Sequence, residues 1–254
     1  MQAVVKSSAL STPASVRAMP IDPTTPRALA RVERIAEIKE AARRQLVEVG
    51  SDGLSLRAVA RELGVVSSAV YRYFASRDEL LTALIIDAYD AVGAVAEGAA
   101  AATSGRRIGE RWTALARAVR SWAVAQPHDY ALIYGSPVPG YRAPEDTVSP
   151  ALRAPLAALG VVADGVAAGE VGTERRSPVA RPVHADLATL RSGAGVDLDD
   201  EVLARALAAW TGLLGHISYE LFGHLHNGIT DYDAFFEHQL ARSTAILIEG
   251  GPTV

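Results

Sequence analysis

Residues 54–80 have the sequence LSLRAVARELGVVSSAVYRYFASRDEL, which predicts two short amphipathic helices separated by a glycine turn. Gly64 lies where the chain must reverse, at a position that favours a positive φ and therefore glycine. This arrangement is typical of a helix-turn-helix, in which the second helix lies in the major groove of DNA. The apolar residues that fall on the inner faces of the two helices are Val59, Ala60, Leu63, Val70 and Phe74.

The opposite face of the second helix is polar and carries no acidic residue between Gly64 and Arg77. Hydroxyl and guanidinium groups are suited to phosphate oxygens and base edges. An ordinary solvated helix hairpin more often mixes both signs of charge, so we expect this surface to bind double-stranded DNA. Its members are Ser67, Ser68, Tyr71, Arg72 and Tyr73, with Arg77 just beyond them.

The stretch 64–74 (GVVSSAVYRYF), followed by 76–81 (SRDELL), resembles the signature of TetR-family transcriptional regulators. The resemblance implies an all-α fold. An N-terminal three-helix helix-turn-helix domain would be joined by a long helix to a helical ligand-binding and dimerisation domain. Two positions depart from the family pattern, because Val66 stands where the family usually has Ser and Ser68 where it often has Gly. The first departure leaves open which residue caps the recognition helix, and Ser67 is the candidate.

The resemblance also implies which residues contact DNA. Arg57 belongs to the same predicted surface. Two copies of the chain would place their recognition helices in successive major grooves of a palindromic operator, with centres about 34–36 Å apart. The residues expected to hold phosphates are Ser55, Tyr71, Tyr73 and Arg77, and those expected to face bases are Ser67, Ser68, Ala69 and Arg72.

The composition is that of a globular protein with one or two domains, since 49% of the 254 residues are hydrophobic and 21% are charged. The chain has no cysteine, which excludes disulfides, thiolate metal sites and cysteine nucleophiles. No apolar run approaches the length needed to span a bilayer, and the first residues lack a secretory h-region. We therefore expect a cytoplasmic protein without a membrane partner.

The net charge of −4 is unevenly distributed along the chain. Residues 1–80 carry 12 basic and 9 acidic side chains, whereas the remainder carries 13 and 20, giving +3 and −7. Attraction to phosphate is screened over roughly 8–10 Å. A mildly basic front and an acidic back are therefore compatible with DNA binding.

We predict three segments: a flexible N-terminal arm (1–30), a helix-turn-helix domain (31–90) and a C-terminal regulatory domain (91–254). Arg17 and Arg27 of the arm could enter a minor groove, or the arm could be a tail without contacts to DNA. The first helix is predicted over 31–49, and Ser55 is predicted to cap the second. Ser76 and Glu79 form a capping box that opens a long helix ending near Thr103.

Hydrophobic periodicity predicts five further helices, and proline and glycine predict two loops, over 136–150 and 165–183. The last two helices are amphipathic and adjacent, a pattern typical both of a core and of a homodimer built as a four-helix bundle. The resemblance favours the homodimer. The helices are predicted over 106–125, 151–163, 186–191, 199–226 and from Asp231 onwards.

Large side chains with polar edges are concentrated in the C-terminal half of the chain. Each of them taken alone could be ordinary core, but the resemblance implies a cavity that binds a small-molecule effector. The predicted ligand-binding residues are Trp112, Trp122, Tyr130, Tyr134, Trp210, His216 and Tyr219.

The sequence does not support catalysis, a metal site or a cofactor. The six histidines form no His-x-x-x-His pair, and no nucleophile elbow or phosphate-binding loop is present. We expect a non-enzymatic transcriptional regulator, most consistent with a homodimeric repressor released by an effector. Two alternatives stay open: a ligand-independent regulator or activator controlled by a protein partner, and a helical enzyme with an incidental helix-turn-helix.

Overall fold

The computed structural model describes residues 25–51, 53–172 and 179–249, which form ten α-helices and no strand. The all-α fold class is confirmed. A short 3₁₀ turn, Glu145–Thr147, precedes the seventh helix. The helices are α1 (Pro26–Val49), α2 (Leu56–Glu62), α3 (Ser67–Tyr71), α4 (Arg77–Ala102), α5 (Ile108–Ala125), α6 (Pro127–Tyr134), α7 (Val148–Ala167), α8 (Arg181–Ala194), α9 (Asp200–Leu221) and α10 (Tyr232–Glu249).

The first three helices and the start of α4 form the N-terminal unit of the fold, here called the head. They enclose one apolar cluster, the head cluster. Gly64 ends α2 with a φ of 66°. The Gly64 N–H donates to the Arg61 carbonyl (3.1 Å) and the Val65 N–H to the Ala60 carbonyl (2.9 Å). These two bonds form a Schellman cap, which fixes the turn between α2 and α3. The head cluster includes Ile38, Leu46, Val59, Ala60, Val70, Phe74, Leu80, Leu81, Leu84 and Ile85.

The first helix begins at Pro26 rather than at residue 31. The Thr25 hydroxyl accepts a hydrogen bond from the Ala28 N–H (3.2 Å), and Pro26 stands at the first helical position, where its missing N–H costs nothing. Residues 26–30, including Arg27, therefore belong to α1 and not to the predicted arm. Arg17 lies outside the described residues.

The long helix α4 begins with the predicted capping box. The Ser76 hydroxyl accepts from the Glu79 N–H (3.1 Å), and the Glu79 carboxylate accepts from the Ala75 N–H (2.6 Å). The helix ends at Ala102, and Thr103 is its C-terminal cap, as predicted. Because α4 is continuous, it supplies side chains both to the head cluster and to the core that follows.

The C-terminal half is built around a second apolar cluster, the C-terminal cluster, formed mainly by α4, α5, α7, α9 and α10. Several helix bounds there differ from the predictions. Helix α7 covers 148–167 rather than 151–163, and α8 covers 181–194 rather than 186–191. Helix α9 ends at Leu221, not near residue 226, because Gly223, just beyond the cap residue Phe222, adopts a φ of 78°. Four apolar residues of α5, spaced by three and four positions, are buried in this cluster: Trp112, Leu115, Val119 and Trp122.

Residues 145–167, which include α7, are long and apolar enough to cross a membrane by length and composition alone. The expectation that no apolar run approaches the length of a membrane span is wrong for this segment. Ala154, Ala158 and Val162 are buried in the C-terminal cluster, and α7 packs extensively on α4. A core helix passes the same test, so this is weak evidence for a membrane segment.

The contact between α4 and α7 depends on a glycine. A Cβ atom on Gly93 would lie 2.6 Å from the Cβ of Arg153, closer than real side chains approach. The Arg153 guanidinium meanwhile bridges Asp90 and Glu97 on α4, each at 2.6 Å. The absent side chain at position 93 allows α7 to approach α4 closely enough for this bridge.

We predict that Gly93→Ala lowers the free energy of unfolding by about 1 kcal/mol, because overpacking outweighs the gain in helix propensity. The matched control is Gly98→Ala on the same helix, where a Cβ would meet no atom within 4 Å. Alanine should stabilise that position by about 0.5–1 kcal/mol. Urea denaturation followed by circular dichroism checks both signs, and equal effects of the two substitutions would contradict the steric explanation.

Candidate DNA-binding surface and ligand cavity

The recognition helix α3 is short, and its N-terminal cap is Val66, which makes no side-chain capping bond. Val66 is extended (φ −68°, ψ 142°), and its carbonyl accepts the Ala69 N–H at 2.9 Å. Ser67 is therefore the first residue of the helix rather than its cap, and the capping role considered for Ser67 is wrong. With valine at position 66, α3 therefore has no side-chain cap, and the role does not pass to Ser67.

The four predicted base-facing residues differ in exposure. Ser68 and Arg72 are exposed, whereas Ser67 and Ala69 are half-buried. Ala69 lines a small hollow of about 140 Å³ together with Ile38, and Arg72 stands at the same hollow. Ser68 and Arg72 are thus the most accessible members of this set.

Two predicted phosphate-binding residues, Tyr71 and Ser55, lie on either side of the turn. Tyr71 ends α3 and is 44% exposed. Ser55 precedes α2 as predicted, but its hydroxyl makes no capping bond. Its backbone N–H instead donates to the side-chain oxygen of the buried Gln45 (3.3 Å). This role of Gln45 was not predicted, because the sequence does not indicate which backbone group a buried polar side chain will contact.

Tyr73 lies beyond the end of α3 and is half-buried. The guanidinium of Arg31 lies over its ring, 5.1 Å from the ring centroid, a cation–π contact between α1 and the end of the helix-turn-helix. Arg31 was not predicted to belong to this surface. Because Arg27, Arg31 and Arg34 are spaced by four and three residues, they share one side of α1.

Arg77, also predicted to hold phosphate, is engaged within the head. Its Nη2 donates to the Ser51 carbonyl at 2.6 Å, and its Nη1 lies 3.4 Å from the Asp78 carboxylate. It therefore ties the start of α4 to the turn after α1. Arg57, by contrast, is exposed on the first turn of α2.

A cavity with a volume of about 470 Å³ lies between α5, α9 and α10. Three predicted ligand-binding residues, Trp112, His216 and Tyr219, line it. The other residues that line it are mainly apolar side chains and glycines, with three polar residues: Gly212, Leu213, Gly215, Leu225, Phe235, Phe236, Leu240, Ile246, Gln239, Arg242 and Ser243.

Two ring nitrogens of the cavity residues, Trp112 Nε1 and His216 Nε2, are buried and have no hydrogen-bond partner within the described residues. Burial lowers the pKa of His216, an effect that nearby Glu220 opposes and Arg120 reinforces. Arg120 binds Glu220 and Asp233, each at 2.7 Å, and its guanidinium lies over the Phe236 ring. The imidazole therefore favours its neutral form in a mostly apolar wall.

The other predicted ligand-binding residues lie elsewhere. Trp122, Tyr130 and Tyr134 belong to a packed aromatic group in which Tyr130 is fully buried. The Tyr130 hydroxyl donates to the Leu214 carbonyl (2.7 Å), and burial raises the pKa of this phenol. Trp210 lines a separate cavity of about 20 Å³ between α5, α7 and α9. The structure thus divides the predicted set among three places.

The comparisons with known proteins cover both halves of the chain. The family model for bacterial regulatory proteins of the TetR family matches residues 38–84. The model for the tetracyclin repressor-like C-terminal domain matches residues 112–243. The chain belongs to the TetR family of transcriptional regulators. Membership of this family makes the chain a DNA-binding helix-turn-helix regulator of transcription rather than an enzyme.

Individual relatives agree with this assignment. The HTH-type transcriptional regulator Rv1816 of Mycobacterium tuberculosis is 43% identical over 87% of this chain and 94% of its own length. The crystal structure of the regulatory protein SCO4313 superposes with a TM-score of 0.70 at 38% identity, covering 86% of this chain and 98% of that one. A TetR/AcrR-family regulator from Thermobifida fusca (TM-score 0.55, 20% identity, 87% and 99% covered) shares the fold.

We predict that Arg72→Ala and Arg77→Ala have different effects. Arg72 is exposed, so its loss should weaken operator binding by about 1–3 kcal/mol and leave the free energy of unfolding unchanged. Arg77→Ala should lower the free energy of unfolding by about 1–2 kcal/mol, because the Ser51 carbonyl loses a charged donor.

Fluorescence anisotropy with a selected operator and urea denaturation distinguish the two effects. A stability loss for Arg72→Ala, or an unchanged stability for Arg77→Ala, would contradict the roles that the contacts suggest.

Proposed function

We propose that this protein is a cytoplasmic, homodimeric repressor that binds a palindromic operator and is released by a small-molecule effector. The proposal is carried by the position of two features relative to the long helix α4. The exposed, acid-free face of α3 lies near one end of α4, and α5, whose Trp112 lines the cavity, packs against α4 in the C-terminal cluster. An effector bound in that cavity could act on the head through α4.

The homodimer would form through α9 and α10. Helix α9 exposes mostly small side chains along one face, and α10 exposes three alanines among larger side chains, so two copies could pack together in a four-helix bundle. Tyr219 and Ile246 add exposed apolar area to this face. The exposed residues of this face are Ala208, Thr211, Gly212, Gly215 and Tyr219 on α9, Phe222 just beyond it, and Ala234, His238, Gln239, Ala241, Arg242, Ala245 and Ile246 on α10.

On DNA, Ser68 and Arg72 would contact base edges, while Tyr71 and Ser55 would contact phosphates. Arg31 and Arg57 supply further positive charge beside this surface. The half-buried Ser67 and Ala69 would approach the bases at closer range, if the α3 backbone enters the groove. Two such heads related by a two-fold axis require a palindrome.

The effector would occupy the cavity between α5, α9 and α10, and the second copy would close its open side. A mostly apolar wall with a Trp donor and a neutral imidazole suits an apolar molecule that carries one or two hydrogen-bonding groups. Since α9 and α10 also form the proposed dimer face, an effector there could change the distance between the two heads. Coupling of this kind is reciprocal, so DNA should weaken effector binding by the same factor.

A regulator without an effector, controlled by a protein partner, is the second candidate. The division of the predicted aromatic residues favours it to some extent, because Trp122, Tyr130 and Tyr134 fill a core rather than line a cavity. The cavity beside Trp112 and His216 favours the effector.

The dimer face is tested by Gly215→Glu. A Cβ at position 215 would meet no atom within 4 Å of the same chain, so the substitution should not disturb the fold of the protomer. A carboxylate facing its own copy across the two-fold axis should convert the dimer into a monomer and weaken operator binding at least tenfold. Sedimentation velocity and anisotropy measure these changes.

The matched control is Gly98→Glu, which places the same side chain on an exposed, equally open helical position of α4. This variant should stay dimeric and bind DNA normally. If Gly215→Glu remained dimeric, the face formed by α9 and α10 would not be the interface.

The operator is tested by selecting bound sites from a random DNA pool with the purified protein. We expect a palindrome whose half-sites are centred about one helical turn apart or a multiple of it. Compounds that raise the melting temperature of the protein in a metabolite panel should then dissociate it from this operator.

Leu213→Trp tests whether the effector acts through this cavity. The bulky side chain would reduce the cavity volume, while the DNA-binding surface would be unchanged. This variant should still bind the operator but no longer release it. Enrichment of a single half-site would contradict the palindrome, and a panel without any stabilising compound would favour the ligand-independent regulator.

A further inference from the structure

Val66 is an exposed apolar side chain at the tip of the helix-turn-helix. It is 72% exposed, more than any other large hydrophobic side chain among the described residues. It stands at the N-terminal cap of α3, where Ser, Thr, Asp or Asn would stabilise the helix better than valine. Neither packing nor capping therefore explains a valine at this position.

The neighbours of Val66 indicate what covers it in the bound state. The polar residues next to it, Ser67 and Ser68, belong to the first turn of the recognition helix. Residues at that end of a recognition helix contact base edges in the major groove. Those edges present donors and acceptors and, in unmodified DNA, a single apolar group, the C5-methyl of thymine.

We propose that Val66 determines part of the operator sequence by packing its side chain on the C5-methyl group of a pyrimidine, thymine in unmodified DNA, in each half-site. The proposal rests on the proposed sequence-specific binding and adds to it one position of preferred thymine. Burial of one methyl group by an apolar side chain should strengthen binding about fourfold per half-site.

The test replaces thymines of the selected operator one at a time, in both half-sites, by deoxyuridine, which lacks only the methyl group. One position should weaken the wild-type protein about tenfold or more when both half-sites are changed. At that position Val66→Ser should show little or no sensitivity, Val66→Ala a reduced one because its shorter side chain buries less of the methyl group, and Val66→Ile should retain it. Deoxyuridine at the other thymines should affect all four proteins equally and serves as the control.

The comparison is independent of folding, because Val66 is exposed and serine is a better cap than valine. If the operator has cytosine at the contacted position, methylation at C5 should strengthen binding of the wild type but not of Val66→Ser, which would identify methylcytosine as the source of the methyl group. Equal costs of methyl removal for wild type and Val66→Ser at every position would overturn the inference. A random pool that yields no enriched sequence would instead refute the proposed sequence-specific function itself.

Discussion

The structure depends on α4, a single continuous helix whose apolar side chains are buried at both of its ends. Leu81 and Leu84 are fully buried in the head cluster, and Val92 and Ala96 in the C-terminal cluster. A packed helix does not bend without loss of buried contacts, so motion of one cluster relative to the other must rotate or translate α4 as a unit. The close approach at Gly93 makes α7 the surface against which such motion would occur.

A second connection between the two halves runs through α6 and the loop that follows it. The Asp129 carboxylate on α6 is 15% exposed and lies 3.9 Å from the Arg43 guanidinium on α1, which also binds Asp87 on α4 (2.8 Å). Burial raises the pKa of Asp129, and Arg43 opposes this change. The hydroxyls of Thr82 and Tyr141 are hydrogen-bonded at 2.9 Å. The Arg43 guanidinium thus lies beside carboxylates from two helices, α4 and α6. A displacement of α6 must therefore change the contacts that hold α1 on α4.

Features encoded by neighbouring residues were predictable from the sequence, whereas long-range ones were not. The Gly64 turn and the Ser76–Glu79 capping box follow from local backbone chemistry, and both form as expected. Periodicity placed the buried face of α5 correctly but extended α9 too far, because Leu225 continues the pattern beyond Gly223. It also cannot distinguish an aromatic residue that fills a core, such as Tyr130, from one that lines a cavity. The bond from Arg77 to the Ser51 carbonyl could not be predicted, because every residue has a backbone carbonyl and the sequence does not indicate which one a side chain will contact.

The number of basic side chains in the head overestimates the positive charge that is available to bind phosphate. Arg44 binds Glu62 at 2.6 Å, and Lys39 binds Asp87 at 2.7 Å. Arg43 also binds Asp87, and Arg77 is engaged with Ser51, so four of the basic side chains counted in residues 1–80 already hold parts of this domain together. A phosphate would have to compete with these bonds. Affinity should therefore come from a few exposed groups, and in the proposed complex discrimination between sequences would depend more strongly on the uncharged residues at the start of α3.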